Sequence, residues 1–454
     1  MDKRSLIESM ARAAFEKDSF NGAWIYAENG EIISKGAVGF RDPENTIPLG
    51  EDSIFQLASV TKQFTAAAVM LARRMGLLSL EDDITKFYPE LSAYNGVTVR
   101  HLLTHTSGIP DYFDDADWFV KIWKEENRVP ANGEILRFLR ETKAKPYFAP
   151  GEGLRYSNTG YNLLAETVER LSGIPFEDFL RQNIFEPAGM TSTRCCHIRR
   201  DGVPFDNYAQ ATVCEDGKFA ADVDSEEDGD VTAFDGLNGD DYVYTTIFDM
   251  LKWDRALRNG TVLTREEQMM MYTPAVLNGG EPYSDEDGDG YGFGWSVTRD
   301  EEHGLIVCHS GGMPGVHTWF ERFIDEDKML LILCSRDELD LRAHMGFYDG
   351  LRAIAKGKEP DPIRTIEDIA IKEPDKSKWE SFCGKYEKLN EDFPLEEVFM
   401  KDGELYAKVI DDDETCEYKL YPIGENEFGR KLGMVKLTFG ENQVAINGKV
   451  CQKL

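Results

Sequence analysis

The sequence predicts a mixed α/β protein with a small all-β region at its C-terminal end. Near the start, two strand-like runs flank the turn residues Glu28-Asn29-Gly30, which predicts a hairpin. The later run from Phe64 to Ala72 is small and apolar with no polar face, which predicts a helix buried on nearly all sides. In residues 379–454, short alternating runs separated by turns predict a small antiparallel barrel or sandwich.

The elements around these landmarks follow in chain order. Ser5 and Glu8 form a capping box, which predicts an amphipathic first helix opening at Ser5. Apolar spacing and turn residues predict further helices at about 99–103, 161–171 and 248–258, and strands at about 305–308, 315–323 and 329–334.

A change in composition at 356–378 indicates a linker, because this stretch has three prolines, many charges and no sustained apolar pattern. We therefore expect a large domain over residues 1–358, a linker over 359–378 and a small β domain over 379–454. A chain of 454 residues is long enough for such a division.

The charge of the chain excludes some classes of partner. A formal net charge of −32 argues against binding to nucleic acid or to an anionic membrane. No run approaches the roughly 18 apolar residues that span a bilayer, and the N-terminal residues lack the apolar core of a signal peptide. We therefore expect no membrane span and a cytoplasmic location.

The eight cysteines are scattered along the chain and include no Cys-x-x-Cys pair, which argues against a disulfide framework or a zinc site. Buried free thiols in a reducing compartment are the simplest interpretation. The acidic loop at 285–290 lacks the final glutamate of a calcium loop, and His101 and His105 lack the glutamate of a zinc motif, so we expect no metal site.

Ser59 and Lys62 stand at the mouth of the predicted buried helix. Their i, i+3 spacing puts both side chains on one side of the first helical turn. A lysine in a dry site readily gives up its proton, or helps a neighbour give up one, so this arrangement fits an activated serine nucleophile. A plain helix N-cap at Ser59 with a solvated Lys62 fits the tetrapeptide equally well, so the motif needs partners elsewhere.

Two later segments supply such partners. Tyr156-Ser157-Asn158 offers a phenol that a nearby ammonium would make more acidic, and an amide that can bind both a substrate carbonyl and Lys62. At the end of a predicted strand, His309-Ser310-Gly311-Gly312 offers a titratable side chain and a strand backbone that a substrate can approach. The N–H groups of Ser59 and Gly312 would then form an oxyanion hole.

In this order the three segments resemble the motifs of the serine β-lactamase and penicillin-binding protein superfamily: Ser-x-x-Lys, Tyr-x-Asn and Lys/His-x-Gly. The nearest branch holds class C β-lactamases, D-alanyl-D-alanine carboxypeptidases, D-aminopeptidases and related esterases. The resemblance covers roughly residues 1–355 and extends to flanking runs such as 102–109 and 291–295. It implies an antiparallel sheet with flanking helices, a helical subdomain inserted between about residues 70 and 250, and a C-terminal lipocalin-like barrel.

The sequence departs from the family in two places. His309 stands where β-lactamases of this branch usually have a lysine that recognises the drug's carboxylate, so β-lactamase activity itself is disfavoured. Asp241-Tyr242 stands where relatives often have two glycines.

The resemblance implies a serine hydrolase that forms an acyl-enzyme with an ester or amide, such as a D-amino-acid amide, a short peptide or a small ester. The catalytic residues would be Ser59, Lys62 and Tyr156, with either Tyr156 or Lys62 as the base, and the substrate-binding residues Asn158, His309, Gly311 and Gly312. No cofactor or metal is required. The alternative is a penicillin-binding-type sensor of cell-wall fragments with little or no turnover. The oligomeric state stays open.

Overall fold

The computed structural model describes residues 2–215, 218–222, 228–285, 287–387, 393–411 and 414–454. The chain divides into two compact units. The first comprises the residues up to Glu8 together with Asn21–Asp337, and the second comprises Ser9–Phe20 together with Glu338–Leu454. The domain boundaries near residues 358 and 379 stay a prediction.

The strands of the first unit form one large antiparallel sheet and two small ones. In chain order they are β1 (Gly22–Glu28), β2 (Glu31–Val38), β3 (Phe55–Gln56), β4 (Arg194–Cys195), β5 (Thr212–Glu215), β6 (Lys218–Ala221), β7 (Val243–Thr245), β8 (Gly290–Tyr291), β9 (Ser296–Asp300), β10 (Gly304–Met313), β11 (Val316–Phe323) and β12 (Lys328–Cys334). The large sheet has the order β2-β1-β12-β11-β10-β9-β8, and the small sheets are β3-β7-β4 and β5-β6. The predicted hairpin and the predicted antiparallel sheet are confirmed.

Helices fill much of the stretch between β3 and β8. The first helix, α1 (Lys3–Phe15), begins in the first unit and continues in the second. The other helices are α2 (Lys62–Arg74), α3 (Val99–Leu103), α4 (Ala116–Glu126), α5 (Gly133–Thr142), α6 (Asn158–Ser172), α7 (Phe176–Leu180), α8 (Glu186–Ala188), α9 (Ile198–Asp201), α10 (Asp228–Phe234), α11 (Ile247–Arg258) and α12 (Arg265–Met271). Short 3-10 turns cover Ala58–Thr61, Ile84–Lys86, Pro89–Tyr94 and Tyr112–Asp115, and a π-turn covers Arg181–Phe185. Among the described residues, every helix falls short of the length and hydrophobicity that crossing a bilayer requires.

The predicted helices are confirmed at α3, α6 and α11, although α6 begins at Asn158 rather than at Tyr161. The first helix also differs in its start. It begins at Lys3 rather than at Ser5, because the Asp2 carboxylate accepts the backbone N–H of Ser5 at 2.9 Å. Asp2 is therefore the capping residue, and the predicted capping box at Ser5 is wrong.

Helix α2 carries the predicted apolar run, and its burial is confirmed. Every residue from Lys62 to Ala72 is buried. An all-round apolar helix is stable only inside a protein, because it has no face to offer to water. In the 3-10 turn Ala58–Thr61 that precedes it, Ser59 is half-buried and the other three residues are buried.

A buried charge cluster fastens α11 to the large sheet. The Asp254 carboxylate, fully buried, accepts Arg322 Nε at 2.7 Å and Arg258 Nε at 3.3 Å. Arg322 is 1% exposed and also donates to the hydroxyl of Tyr272 at 2.5 Å. Removing one partner of a buried pair leaves the other charge unpaired, which costs more than the pair itself contributes.

Asp254→Asn is therefore expected to lower the free energy of unfolding by about 3–5 kcal/mol. Urea denaturation followed by circular dichroism measures the change. Glu166→Gln is the matched control, because Glu166 pairs with the exposed Arg170 at 3.5 Å, and surface pairs contribute about 0–1 kcal/mol. Equal stability losses in the two variants would contradict the prediction.

The second unit adds three helices, α13 (Leu341–Ala355), α14 (Ile366–Ile369) and α15 (Trp379–Phe382), and nine strands. The strands are β13 (Gly384–Lys385), β14 (Leu395–Lys401), β15 (Glu404–Asp411), β16 (Glu414–Lys419), β17 (Tyr421–Pro422), β18 (Glu427–Gly429), β19 (Lys436–Gly440), β20 (Gln443–Ile446) and β21 (Lys449–Gln452). The predicted linker is thus partly ordered, since α14 lies within it.

The all-β character of the C-terminal region is confirmed, but its strands pair as two sheets, β13-β14-β15-β16 and β17-β18-β19-β20-β21. Within the described ranges, no continuous ladder closes them into the expected barrel. An isolated bridge between Tyr386 and Lys453 links the two sheets, and Leu420 alone separates β16 from β17. Aromatic side chains fill the space between the sheets, with Phe382 stacked on Phe439 at 4.6 Å.

Candidate active site

Ser59 lies in the 3-10 turn that runs into α2. The residue before it, Ala58, has a φ of +47°, a left-handed conformation that is unfavourable for alanine. The turn is held from the sheet, because the Thr318 hydroxyl of β11 donates to the Leu57 carbonyl at 2.7 Å. A strained backbone that packing fixes in this way presents the half-buried Ser59 hydroxyl in one direction.

Lys62 makes three polar contacts from a fully buried position. Its Nζ lies 2.9 Å from Ser59 Oγ, 2.8 Å from Asn158 Oδ1 and 3.1 Å from the backbone carbonyl of Asp240. The amide and carbonyl oxygens can only accept, so they hold two of the nitrogen's protons. The third direction points at Ser59, either as an ammonium proton or as the lone pair of a neutral amine.

Two aromatic rings complete the surroundings of Lys62. Its Nζ lies 4.8 Å from the ring centroid of Tyr156 and 5.7 Å from that of Tyr161, distances typical of cation–π contacts. Tyr156 is 40% exposed and packs on His105 at 4.3 Å. The structure thus brings Tyr156 to the site, but in the described part of the chain no hydrogen bond joins its hydroxyl to Ser59. Such bonds often tighten only when substrate binds.

Asn158 is the first residue of α6, and the helix start fixes its direction. The Ser157 hydroxyl accepts the Gly160 N–H at 3.3 Å as the N-cap, while the buried Asp111 carboxylate accepts the N–H of Asn158. Because Asn158 Oδ1 accepts from Lys62, its amide nitrogen faces away from that contact. That nitrogen is suited to donate to a substrate carbonyl.

His309 is neutral near physiological pH. Its Nδ1 lies 2.5 Å from the Ser310 carbonyl, which can only accept, so Nδ1 carries the proton. Its Nε2, 2.9 Å from the Tyr291 hydroxyl, is then the acceptor. Burial, and then the nearby charge of Lys62, lower the pKa of His309 to about 3. It therefore offers no cation for a substrate carboxylate.

The two glycines after His309 have different surroundings. A Cβ at Gly311 would overlap the carbonyl of Leu57 and the hydroxyl of Thr318, and would lie 3.0 Å from the Cβ of Ala58. Gly311 therefore lets β10 lie directly against the turn that holds Ser59. A Cβ at Gly312 would meet nothing within 4 Å, so this residue faces open space. The oxyanion hole between the N–H groups of Ser59 and Gly312 stays a prediction.

The structure adds residues that sequence reasoning missed: Asp111, Tyr112, Asn162, Asp240 and Tyr291. Asp111 binds the start of α6, Tyr291 binds His309, and the other three form a buried network described below. Tyr291 lies in the family-typical run 291–295 and Asp111 follows the run 102–109, but nothing in their spacing links them to His309 or to Asn158. These contacts depend on long-range packing, for which a single sequence holds no signal.

His105 and the Asp241-Tyr242 pair have structural surroundings. His105 Nδ1 accepts the Ser157 N–H at 3.0 Å, and burial holds the pKa of His105 well below its usual value. Tyr242 has a φ of +75°, the conformation that favours the glycine expected there. Among the described residues, no group of three or more His, Cys, Asp or Glu side chains is arranged to hold a metal ion.

Comparison with known proteins agrees with the resemblance. The Beta-lactamase family model matches residues 7–352. Penicillin-binding protein 4* of Bacillus subtilis (strain 168) is 33% identical over 445 residues, which cover 97% of this chain and 95% of that protein.

Two solved structures share the fold. The octameric penicillin-binding protein homologue from Pyrococcus abyssi has a TM-score of 0.68 at 22% identity, covering 97% of both chains. The D-amino acid amidase from Ochrobactrum anthropi SV3, complexed with D-phenylalanine, has a TM-score of 0.59 at 24% identity, covering 73% of this chain and 91% of that one. From the family match and the near full-length relative, the chain belongs to the beta-lactamase family.

Proposed function

We propose that this protein is a serine hydrolase that acts through an acyl-enzyme on an ester or amide. D-amino-acid amides, short peptides with a D-residue and small esters are its candidate substrates. The observation that carries the proposal is the contact of 2.9 Å between Lys62 Nζ and Ser59 Oγ. Acceptors on two other segments fix the lysine nitrogen, so this contact is built into the fold.

In the proposed acylation step, Ser59 Oγ forms a bond to the substrate carbonyl carbon. Its proton passes to Lys62 or to Tyr156, whichever is the base. The N–H groups of Ser59 and Gly312 stabilise the oxyanion, and the Asn158 amide orients the substrate. As the tetrahedral intermediate collapses, the alcohol or amine departs with the proton. Water then attacks the acyl carbonyl and restores Ser59, with the same base taking its proton.

The charges around the site favour substrates with an ammonium group over substrates with a carboxylate. His309 is neutral, and Lys62 is the cation whose charge acts on it. The buried carboxylates of Asp240 and Asp241 lie close to Lys62, and burial raises the pKa of Asp241 to about 6, which leaves it ionised at pH 7. An excess of buried negative charge repels a substrate carboxylate and attracts an ammonium group.

We therefore expect kcat/KM at pH 7 to be at least about 10-fold higher for a D-aminoacyl p-nitroanilide with a free amine than for its N-succinyl derivative, because of this charge balance. Release of p-nitroaniline measures both rates, and the N-acetyl derivative controls for the bulk of the added acyl group. Faster hydrolysis of the N-succinyl substrate would contradict the charge argument.

Mass spectrometry of the intact protein tests the acyl-enzyme in the same reactions. A transient adduct on Ser59, followed by release of the acid, supports the hydrolase. A stable adduct on Ser59 with no turnover on any substrate would overturn the hydrolase and support the alternative, a sensor of the penicillin-binding type.

A further inference from the structure

The loop before β7 binds Lys62 through its backbone. Three successive carbonyls, of residues 238–240, accept from side chains on three different positions of α6 and α2. Asn162 Nδ2 donates to the first at 2.8 Å, the Thr65 hydroxyl to the second at 2.6 Å and Lys62 Nζ to the third at 3.1 Å. The contact with Lys62 is therefore the third of three hydrogen bonds that fix this loop.

The side chain of Asp240 also fixes this loop. Its carboxylate is 2% exposed and accepts the Tyr112 hydroxyl at 2.7 Å and Asn162 Nδ2 at 2.6 Å. Both donors are neutral, so neither balances the negative charge. A buried carboxylate needs a nearby cation or strong hydrogen bonds to stay ionised.

Lys62 and Asp240 lie among several other titratable side chains. The titratable groups packed around the two residues come from every neighbouring segment; they are His105, Asp111, Tyr112, Tyr156, Tyr161, Asp241, Tyr242 and His309. Both histidines are neutral because burial holds each pKa low. Burial likewise raises the pKa of Tyr112, Tyr161 and Tyr242 well above the usual value. Of the described groups, Lys62 is thus the cation among the carboxylates of Asp111, Asp240 and Asp241.

We propose that Asp240 is a positioning residue for the hydrolytic reaction: its carboxylate, bound by Tyr112 and Asn162, fixes the backbone carbonyl that orients Lys62 beside Ser59. This inference rests on the proposed function, since it gives Asp240 its role through the same nucleophile. Asp240 itself does not touch the substrate, because it lies behind Lys62 and is buried.

The proposal predicts a slower reaction with unchanged substrate binding. In Asp240→Asn one carboxylate oxygen becomes an NH2 group, so Tyr112 and Asn162 can no longer both donate to this side chain. The carbonyl that accepts from Lys62 is then less well fixed, and kcat is expected to fall about tenfold with KM unchanged.

A fluorophosphonate probe measures this without a known substrate. Ser59 Oγ forms a bond to phosphorus, the P–F bond breaks, fluoride leaves, and the serine proton passes to the base. We expect the second-order rate constant for labelling of Ser59 to fall about tenfold in Asp240→Asn. A wild-type labelling rate in a folded Asp240→Asn protein would overturn the positioning role.

Two further variants separate positioning from folding. Asp249→Asn also removes a buried carboxylate, one that accepts the Ser192 N–H at 2.7 Å and pairs with Lys252 at 2.7 Å, away from Lys62. It is expected to lower the melting temperature and leave the labelling rate of Ser59 unchanged. Tyr112→Phe removes one hydrogen bond from Asp240 and keeps its charge, so kcat should fall about fivefold with KM unchanged.

An unchanged kcat in Tyr112→Phe would contradict the positioning role even if Asp240→Asn failed to fold. An equal fall in the labelling rate of Ser59 in Asp249→Asn would also overturn the specific role of Asp240. A wild-type protein that neither reacts with the probe nor hydrolyses any substrate would instead overturn the proposed function itself. Failure of the inference and failure of the function are therefore distinguishable.

Discussion

Replacing Ser59 with alanine is expected to lower kcat/KM by a factor of about 10⁴ or more, with the protein still folded. The loss follows from the geometry, because the oxygen that Lys62 Nζ contacts at 2.9 Å is the atom that would attack the substrate. Lys62 keeps its two other acceptors, on Asn158 and Asp240, so the buried charge stays bound and the fold has little to lose. The assay is hydrolysis of the best p-nitroanilide or p-nitrophenyl ester, with the melting temperature measured alongside.

The matched control is Ser92→Ala, since Ser92 is an exposed serine in another 3-10 turn, Pro89–Tyr94. It should keep wild-type kcat/KM. Residual activity in Ser59→Ala within about tenfold of wild type would exclude a covalent role for Ser59, and the observed hydrolysis would then have to use water directly.

The sequence predicted best what depends on neighbours along the chain. The spacing of Ser59 and Lys62 placed them on one side of a helical turn, and their side chains do lie in contact. The apolar run of α2 predicted its burial for the same reason, because helical periodicity is local. The catalytic roles of Ser59, Lys62 and Tyr156 are a separate matter and stay a proposal.

What the sequence did not predict depends on segments far apart in the chain. Asp240 meets Tyr112 and Asn162 only because a loop, a 3-10 turn and α6 pack together, and none of the three positions has a pattern that pairs it with the others. The alternating runs of residues 379–454 predict strands, but which strands pair depends on longer-range contacts such as the bridge between Tyr386 and Lys453. At the N-terminus the error is local. Asp2 and Ser5 are both suitable N-cap residues, and the helix begins after Asp2, one turn before the predicted start.

Gly311→Val is expected to lower kcat/KM at least about 100-fold and to destabilise the fold by about 1–3 kcal/mol. Its Cβ would overlap the Leu57 carbonyl and the Thr318 hydroxyl, the two groups that join the Ser59 turn to β11 through a bond of 2.7 Å. Either β10 or the turn must move, and any movement separates Ser59 from the backbone at Gly312 that would bind the oxyanion.

The stability change in Gly311→Val is measured by urea denaturation against Gly312→Ala, whose Cβ would meet no atom within 4 Å and whose stability should match wild type. If Gly311→Val kept both wild-type stability and wild-type labelling of Ser59 by the fluorophosphonate, close packing of β10 against the turn would not be what positions the nucleophile. Slow labelling with a stability loss of only about 1 kcal/mol would mean that the turn moves and β10 stays in place. The strained conformation of Ala58, at a φ of +47°, favours movement of the turn, because a backbone already held away from its preferred conformation relaxes most easily.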